Sequence, residues 1–500
     1  MNVKLSTGSA VGARIDLLVI PLFQKEIPAV LKDQRLRFFR DLLKEEGISG
    51  KTDEVLAVRT LGRLRVKRLA VVGMGERSAC SEDTLRLMAA RALKLAREVK
   101  AQEIGLVWPE LEPGSSTTTS TSQALAEGAR LAAYRFNVYK KKDVKNGATR
   151  EPKQLTIFMD DSALVKESER GLSAAKLLAE ATCFARDLVN TPSADLTPQH
   201  LADLASALVV DGSRITAKVM DADKLDELGM HATLAMGRGS DHAPVGVHLT
   251  YHPLGEPQKR IVIVGKAVTF DSGGLSLKQK DGMATMKMDM AGAATVLGLF
   301  KLLPKLALPF EIHGIFLAVE NMPSGKACRP GDIVTSHNGT TIEILSTDAE
   351  GRVTLADALS YASQLKPDLV IDLATLTGAC LIALGEDIAG LLGNDAELID
   401  ALTAAAQATG EPVWELPLYQ PYAEAVKSKI ADLKITAGRS GGVITAALFL
   451  EKFVGKDLPW AHLDIAGPAY AEKETRADQP AGGTGFGVRL LARYLQALSK

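Results

Sequence analysis

Along most of the chain, short apolar, β-branched runs alternate with longer stretches of helical spacing. Residues 16–20, 69–72 and 104–108 are runs of the kind that form buried strands. Residues 82–100 carry Leu and Ala at helical spacing. This strand–helix–strand rhythm predicts an α/β domain. A helical stretch over 168–188 ends in Val189-Asn190-Thr191-Pro192-Ser193, a turn signal. The alternation then resumes, with a helix over 197–209, strands over 261–264, 311–319 and 367–373, a helix over 446–450 and a strand over 460–466. The expected fold class is α/β with two domains. Residues 1–165 form a smaller amino-terminal domain, 166–190 a connecting helix, and 191–500 a larger domain built on a mixed sheet flanked by helices.

Three segments need separate treatment. Gly73-Met74-Gly75 follows a strand, but Ser78 stands where a dinucleotide fingerprint has its third glycine, so a plain strand-to-helix turn is expected. Residues 114–122 are a Ser/Thr tract, expected as a solvated loop. Lys140-Lys141-Lys142 is a solvated charge run with no assigned partner. No internal repeat is present.

The densest chemistry lies in Ser346-Thr347-Asp348-Ala349-Glu350-Gly351-Arg352, between a strand pattern at 341–345 and a helical pattern at 353–359. If the turn stays extended, Asp348, Glu350 and Arg352 point to one side, because strand side chains alternate with period two. The alternative is an acidic turn that only complements the helix dipole. A second stretch starts at the end of the run 261–265: Lys266, then Thr269-Phe270-Asp271-Ser272-Gly273-Gly274, Lys278, and Met286-Lys287-Met288-Asp289. Two strands ending in carboxylate-bearing loops predict one site at the carboxyl edge of a sheet. Asp271, Asp289, Asp348 and Glu350 cannot gather ionised without cations, since like charges raise each other's pKa. Two divalent metals would solve this, and hard oxygen ligands suit Zn, Mn, Mg or Co. Each residue also has a plainer role: Lys266 in a salt bridge to Asp271, Asp289 as a helix N-cap, Met286 in the core.

These two stretches resemble the leucyl aminopeptidase family, the cytosolic dinuclear metallo-aminopeptidases. The family hallmark Asn-Thr-Asp-Ala-Glu-Gly-Arg is matched from Thr347 to Arg352, and Lys266, Asp271, Lys278 and Asp289 stand at the spacings of its other motif. The likeness runs from about Ala181 to Arg489, with a looser match before it, where it implies a macro-like domain. It implies that Asp271 and Glu350 bridge two metals, Mn or Zn, that Asp348 binds the first, and that Asp289 and Lys266 complete the second. Lys266 must then be neutral; lowering an amine from ~10.4 to below 7 takes roughly 4–5 kcal/mol, which a neighbouring dication can supply. The resemblance further implies attack of a dimetal-bridged water or hydroxide on the amino-terminal peptide bond, Lys278 stabilising the oxyanion and Arg352 holding a bicarbonate that shuttles the proton. Met286, Thr375 and Leu376 match an apolar pocket that favours Leu or Met, and the family assembles as a homohexamer. Three positions depart from the pattern: Ala267 and Ala291 replace Gly, and Ser346 replaces Asn.

Composition adds exclusions. A net charge of −1 gives no electrostatic case for nucleic acid or anionic membranes. A DNA-binding protein of the same fold is the alternative, since some bacterial relatives bind DNA; a two-metal phosphoesterase would need a phosphate cradle, which is missing. Cys80, Cys183, Cys328 and Cys380 lie far apart, which fits a reduced cytoplasmic protein. No membrane span or signal peptide is expected, and the eight histidines show no His-Glu-x-x-His spacing.

Overall fold

The computed structural model describes residues 1–112, 114, 116–141 and 151–499. Lys142, the last lysine of the basic run, lies outside them. The chain folds as two compact units, one of residues 1–180 with 473–480, the other of residues 181–472 with 481–500.

The first unit holds a six-stranded sheet of β1 (Asn2–Ser6), β2 (Leu17–Phe23), β3 (Val55–Arg59), β4 (Arg68–Gly75), β5 (Glu103–Val107) and β6 (Gln154–Phe158), in the order β1-β6-β5-β2-β4-β3. Only the β3–β4 pair is antiparallel. β2 is buried along its whole length, as a parallel central strand must be. Helix α1 (Arg37–Glu45) packs Phe39 and Leu43 on one face against Leu18, Ile20 and Val71. Helices α2 (Glu82–Glu98) and α3 (Thr118–Ala132) cover the other face, over Leu17, Val19 and Ile104. They lie so close that a Cβ on Gly128 would sit 1.9 Å from the Arg86 carbonyl oxygen. Between them Arg86 Nε donates to Glu127 at 3.1 Å, both side chains buried.

Two expectations are corrected here. The Ser/Thr tract is not a loop from Thr118 on. Thr117 accepts from the Ser120 N–H and Ser120 accepts from the Thr117 N–H, a reciprocal cap that starts α3. Gly73 and Gly75 are not in a strand-to-helix turn but end β4. Glycine is needed because the backbone at Lys51 passes close enough to meet a Gly73 Cβ at 1.9 Å, and the Gly73 N–H donates to the Glu54 carbonyl.

Helix α4 (Val165–Asn190) carries the chain into the second unit. Its main strands are β7 (Ile215–Met220), β8 (Val245–Tyr251), β9 (Arg260–Gly265), β10 (Ala267–Asp271) and β11 (Glu311–Asn321). A small sheet follows, with β12 (Ile333–Thr335), β13 (Thr341–Glu343) and later β17 (Leu433–Lys434). β14 (Leu369–Ala374), β15 (Ala389–Gly393), β16 (Val413–Glu415) and β18 (Trp460–Asp464) complete a nine-stranded mixed sheet, β16-β15-β18-β14-β9-β11-β8-β7, with β10 paired to β11. β18, β14, β9 and β11 are mutually parallel. The helices of this unit are α5 (Pro198–Ser206), α6 (Ala222–Glu227), α7 (His231–Gly237), α8 (Lys280–Met283), α9 (Ala291–Leu306) and α10 (Glu350–Gln364). α11 (Gly378–Leu384), α12 (Ala396–Thr409), α13 (Gly442–Glu451) and α14 (Val488–Leu498) follow. Val262, Val264, Val370 and Trp460 pack towards α10 and α13 on one face. Among the described residues no helix is long and apolar enough to cross a membrane.

The run at 341–345 predicts a strand; β13 stops at Glu343 and belongs to the small sheet, not the main one. The hallmark motif therefore reaches the site from outside the main sheet.

The α2–α3 contact gives a test. Gly128→Ala forces backbone apart where no flexible side chain can yield, so the first unit should lose about 1–3 kcal/mol. Urea denaturation followed by circular dichroism should show its transition at lower urea than in the parent chain; an unchanged curve would refute the close packing.

Candidate metal centre and substrate cleft

The carboxyl ends of the central parallel strands bring the chemistry together. Lys266 follows β9 directly, and its backbone is fixed on two sides: its N–H donates to the Leu373 carbonyl at 3.0 Å, and its carbonyl accepts from Ala293 N at 2.9 Å, at the start of α9. This approach needs glycines. A Cβ on Gly265 would meet the Gly292 backbone at 2.5 Å, and one on Gly292 would meet the Leu373 oxygen at 2.3 Å. Asp271 ends β10 opposite Asn321, the last residue of β11. Asn321 Nδ2 donates to Asp271 Oδ1 (2.8 Å) and to the Thr347 carbonyl (2.9 Å), tying the two motif loops. Thr347 Oγ1 donates to the Gly273 carbonyl at 2.6 Å and accepts from Ser276 N at 2.8 Å. Gly273 and Gly274 have φ of +85° and +62°, and a Cβ on Gly273 would lie 2.8 Å from Asp348 Oδ1. Only glycine turns the loop this close to the carboxylates.

The hallmark segment is not extended. Ser346 accepts from Asp348 N at 3.3 Å, Thr347–Ala349 form a 3₁₀ turn, and Glu350 opens α10. Asp348 and Glu350 converge through this tight turn rather than by strand alternation. Gly351 makes room for Lys266: a Cβ there would lie 2.7 Å from Nζ.

The resulting cleft, of about 390 Å³, is lined by Lys266, Asp271, Lys278, Asp289, Asp348, Glu350 and Arg352, and by Met286, Thr375 and Leu376. All the residues singled out in the sequence thus meet in one place. Gln279, Leu381 and Ala466 join them. No histidine lines it. The two lysines divide the carboxylates. Lys266 Nζ lies 2.7 Å from Asp289 Oδ2 and 2.9 Å from Glu350 Oε1; Lys278 Nζ lies 2.8 Å from Asp271 Oδ2 and 2.6 Å from Asp348 Oδ1. Lys266 therefore does not pair with Asp271 as the plain sequence reading had it; Lys278 takes that partner. Asp289 is not an N-cap either. α9 starts two residues later without a side-chain cap, and Asp289 Oδ1 accepts from Thr375 Oγ1 at 2.7 Å.

Electrostatics follow from burial. Asp271, Asp289, Glu350 and Lys266 are almost fully buried, whereas Asp348 faces water. Burial, with the charge of Glu350 beside it, pushes Asp271 up to about 6. Burial likewise raises Asp289 well above the carboxylate range. Burial opposes charge on Glu350 too, but Lys266 and Lys278 outweigh it and hold its pKa low. Both lysines are raised, because the carboxylates outweigh the desolvation of each ammonium. Asp271, Asp348 and Glu350 offer one oxygen each within 4.8 Å of one another, the span of a metal site. Glu350 Oε2 is buried with no hydrogen-bond partner, an acceptor free for a cation. Four carboxylates against two ammonium groups leave the cluster acidic, so the residues fit divalent metal.

Beside the carboxylates, Arg352 Nη1 donates to the Ile435 carbonyl at 2.7 Å and its buried Nε has no partner. Burial lowers the pKa of this guanidinium. Thr375 joins the apolar wall of the cleft to the charge cluster, since its carbonyl also accepts from Lys266 Nζ at 2.9 Å. Sequence reasoning missed the anchor of this wall. Buried Asp464, at the end of β18, accepts from Leu376 N (3.2 Å), Thr377 N (3.4 Å), Ala466 N (3.2 Å) and Thr377 Oγ1 (2.7 Å). An acid ending the apolar run at 460–463 was the available signal, as was the polar Asn321 ending β11.

Residues 183–492 match the model of the cytosol aminopeptidase family, catalytic domain, and residues 21–143 that of its N-terminal domain. A probable cytosol aminopeptidase of Thermosynechococcus vestitus is 44% identical over 494 residues, 97% of each chain. One from Aquifex aeolicus is 45% identical over 455 residues, 91% of this chain and 89% of that one. Among solved structures, the bottromycin maturation enzyme BotP in complex with Mn superposes with a TM-score of 0.84 at 36% identity, over 97% of this chain and 100% of that one. A mutant of tomato leucine aminopeptidase gives 0.86 at 33% identity, over 99% and 96%. With both family domains matched and such identity held over nearly its whole length, the chain belongs to the cytosol aminopeptidase family of metal-dependent exopeptidases.

Proposed function

We propose that this enzyme releases Leu and other apolar residues from the amino termini of peptides at a dinuclear metal centre. The observation that carries this is the meeting of four carboxylates and two lysines beside an apolar wall, with Glu350 Oε2 left without a partner. Asp271 and Glu350 would be shared by two cations, Mn or Zn; Asp348 would serve one, and Asp289 with Lys266 the other. When bound, these cations supply the positive charge that acidifies the attacking water and polarises the scissile carbonyl. Lys278, partly exposed at the cleft, donates to the oxyanion as the carbonyl becomes tetrahedral. Arg352, with Nε unpartnered, would hold a small anion, bicarbonate, which would supply a proton relay between the water and the leaving amine. Met286, Thr375 and Leu376 receive the first side chain. The family likeness extends this reading to a cytoplasmic homohexamer.

The direct test is hydrolysis of leucine amide by metal-stripped protein, before and after Mn or Zn is added. Activity should return only with metal and be absent in Glu350→Ala; activity in stripped protein would sink the assignment.

Gly351→Ala should push the Lys266 amine aside. A shift of that size at a reacting centre lowers kcat/KM by about a hundredfold. Kinetics beside circular dichroism should show the loss in a chain that is still folded.

Asp464→Ala removes the acceptor of the backbone N–H groups of Leu376, Thr377 and Ala466. Leu376 and Ala466 should then drift, and the ratio of kcat/KM for leucine amide over alanine amide should fall by about tenfold, the scale of apolar-pocket discrimination. Metal affinity, read by titration, should hold; an equal loss on both substrates would reduce Asp464 to a general stabiliser.

A further inference from the structure

The first unit contains a second cleft, unrelated to the metal centre, of about 560 Å³. Its position follows from the order of the strands. From β2 the chain leaves through α1 to β3 and then β4 on one side, and from β5 it leaves through α3 to β6 on the other. α1 and α3 lie on opposite faces of the sheet. β2 and β5 are neighbours, so the connections part between their carboxyl ends. Such a parting opens a crevice in doubly wound sheets, and ligands bind there. Ala29, Val30 and Asp33, after β2, form one wall; Trp108 and Glu110, after β5, form the other. The walls are joined by a hydrogen bond, Ala29 N donating to Glu110 Oε1 at 2.7 Å.

The lining decides what fits. Val11, Val30, Val107, Phe158 and Leu164 give an apolar floor, with the indole of Trp108 beside it. The polar groups are Ser9, Asp33, Glu110, Asp160 and Asp161; no Lys, Arg or His lines the cleft. Asp33 is paired with Arg35, but Asp160 and Asp161 make no ion pair among the described residues. An anion would meet four carboxylates. In the neighbouring loop Gly8 N and Gly12 N already donate to the hydroxyls of Ser6 and Ser9. A cation on an apolar body gains from the carboxylate rim, from the indole face and from the floor.

We propose that this crevice is a binding site for a small organic cation, a primary amine or guanidine carried on an apolar body. The site is separate from catalysis: each residue lining it lies in the first unit.

The test uses the full-length chain carrying Glu350→Ala, so that an amine bound at the metal centre does not confuse the reading. The probe is 2-phenylethylamine, followed by calorimetry, with 3-phenylpropionate and inorganic phosphate as anionic counterparts. The amine should bind saturably and the two anions should not. Asp160→Asn with Glu110→Gln, which keeps the acceptor for Ala29, should weaken binding about five- to tenfold, as should Trp108→Leu. In the otherwise unaltered enzyme these substitutions should leave leucine amide hydrolysis intact, which shows that the chain is folded. No saturable binding, equal binding of either anion, or binding indifferent to all these substitutions would overturn the proposal.

Discussion

The second unit is built around the burial of like charges. Asp271, Asp289 and Glu350 are each at most 3% exposed. Desolvating even one ionised carboxylate takes several kcal/mol, and three side by side also repel. The fold tolerates them because Lys266 and Lys278 sit among them at 2.7–2.9 Å. That compensation demands room for lysine chains inside packed backbone. Gly265, Gly292 and Gly351 supply it, each at a place where a Cβ would run into the Lys266 side chain or the backbone that holds it. The motif glycines are thus as much part of the charge cluster as the acids.

The same cluster explains what the sequence displayed and what it hid. Parallel strands buried on both faces read as continuous β-branched runs, so β9 was plain, as were β2 and β14. The spacing of charged residues around Lys266 and Glu350 marked the site because soluble chains rarely place so many acids between apolar runs. The backbone path through the hallmark was not legible. Alternation of Asp348, Glu350 and Arg352 suits a strand, but Ser346 caps a 3₁₀ turn and α10 begins at Glu350. The Ser/Thr tract misled in the same way. Composition favours solvation, whereas the reciprocal bonds of Thr117 and Ser120 close a helix end. Long-range partners left no local trace: that Lys266 faces Asp289 and Glu350 rather than Asp271 depends on β9, α9 and α10 meeting, which no window of sequence contains.

In the proposed reading, the residues that set specificity and those that carry the chemistry share a backbone segment. Thr375 contacts Asp289 through its hydroxyl and Lys266 through its carbonyl, and the next two amides are held by Asp464. The pocket wall is therefore clamped between the charge cluster and β18. An apolar side chain settling against Leu376 works against a surface that cannot shift without moving groups hydrogen-bonded to the cluster. Rigid attachment of this kind suits discrimination by shape, because a wall that yields would accept small and large side chains alike.

The two clefts handle acidic residues in opposite ways, and the difference bears on how each can bind. In the second unit Asp271, Asp289 and Glu350 are buried, so an ion entering there gains the large electrostatic energy of a low-dielectric site and must compete with the ammonium groups of Lys266 and Lys278 for the same oxygens. In the first unit Asp160 and Asp161 lie in water at the rim, where they cost nothing to keep charged and need no lysine. Rim charges in water give about 1 kcal/mol or less each and are screened by salt. Most affinity for a ligand in that crevice must therefore come from the apolar floor and the Trp108 face, with the carboxylates selecting the sign of the charge.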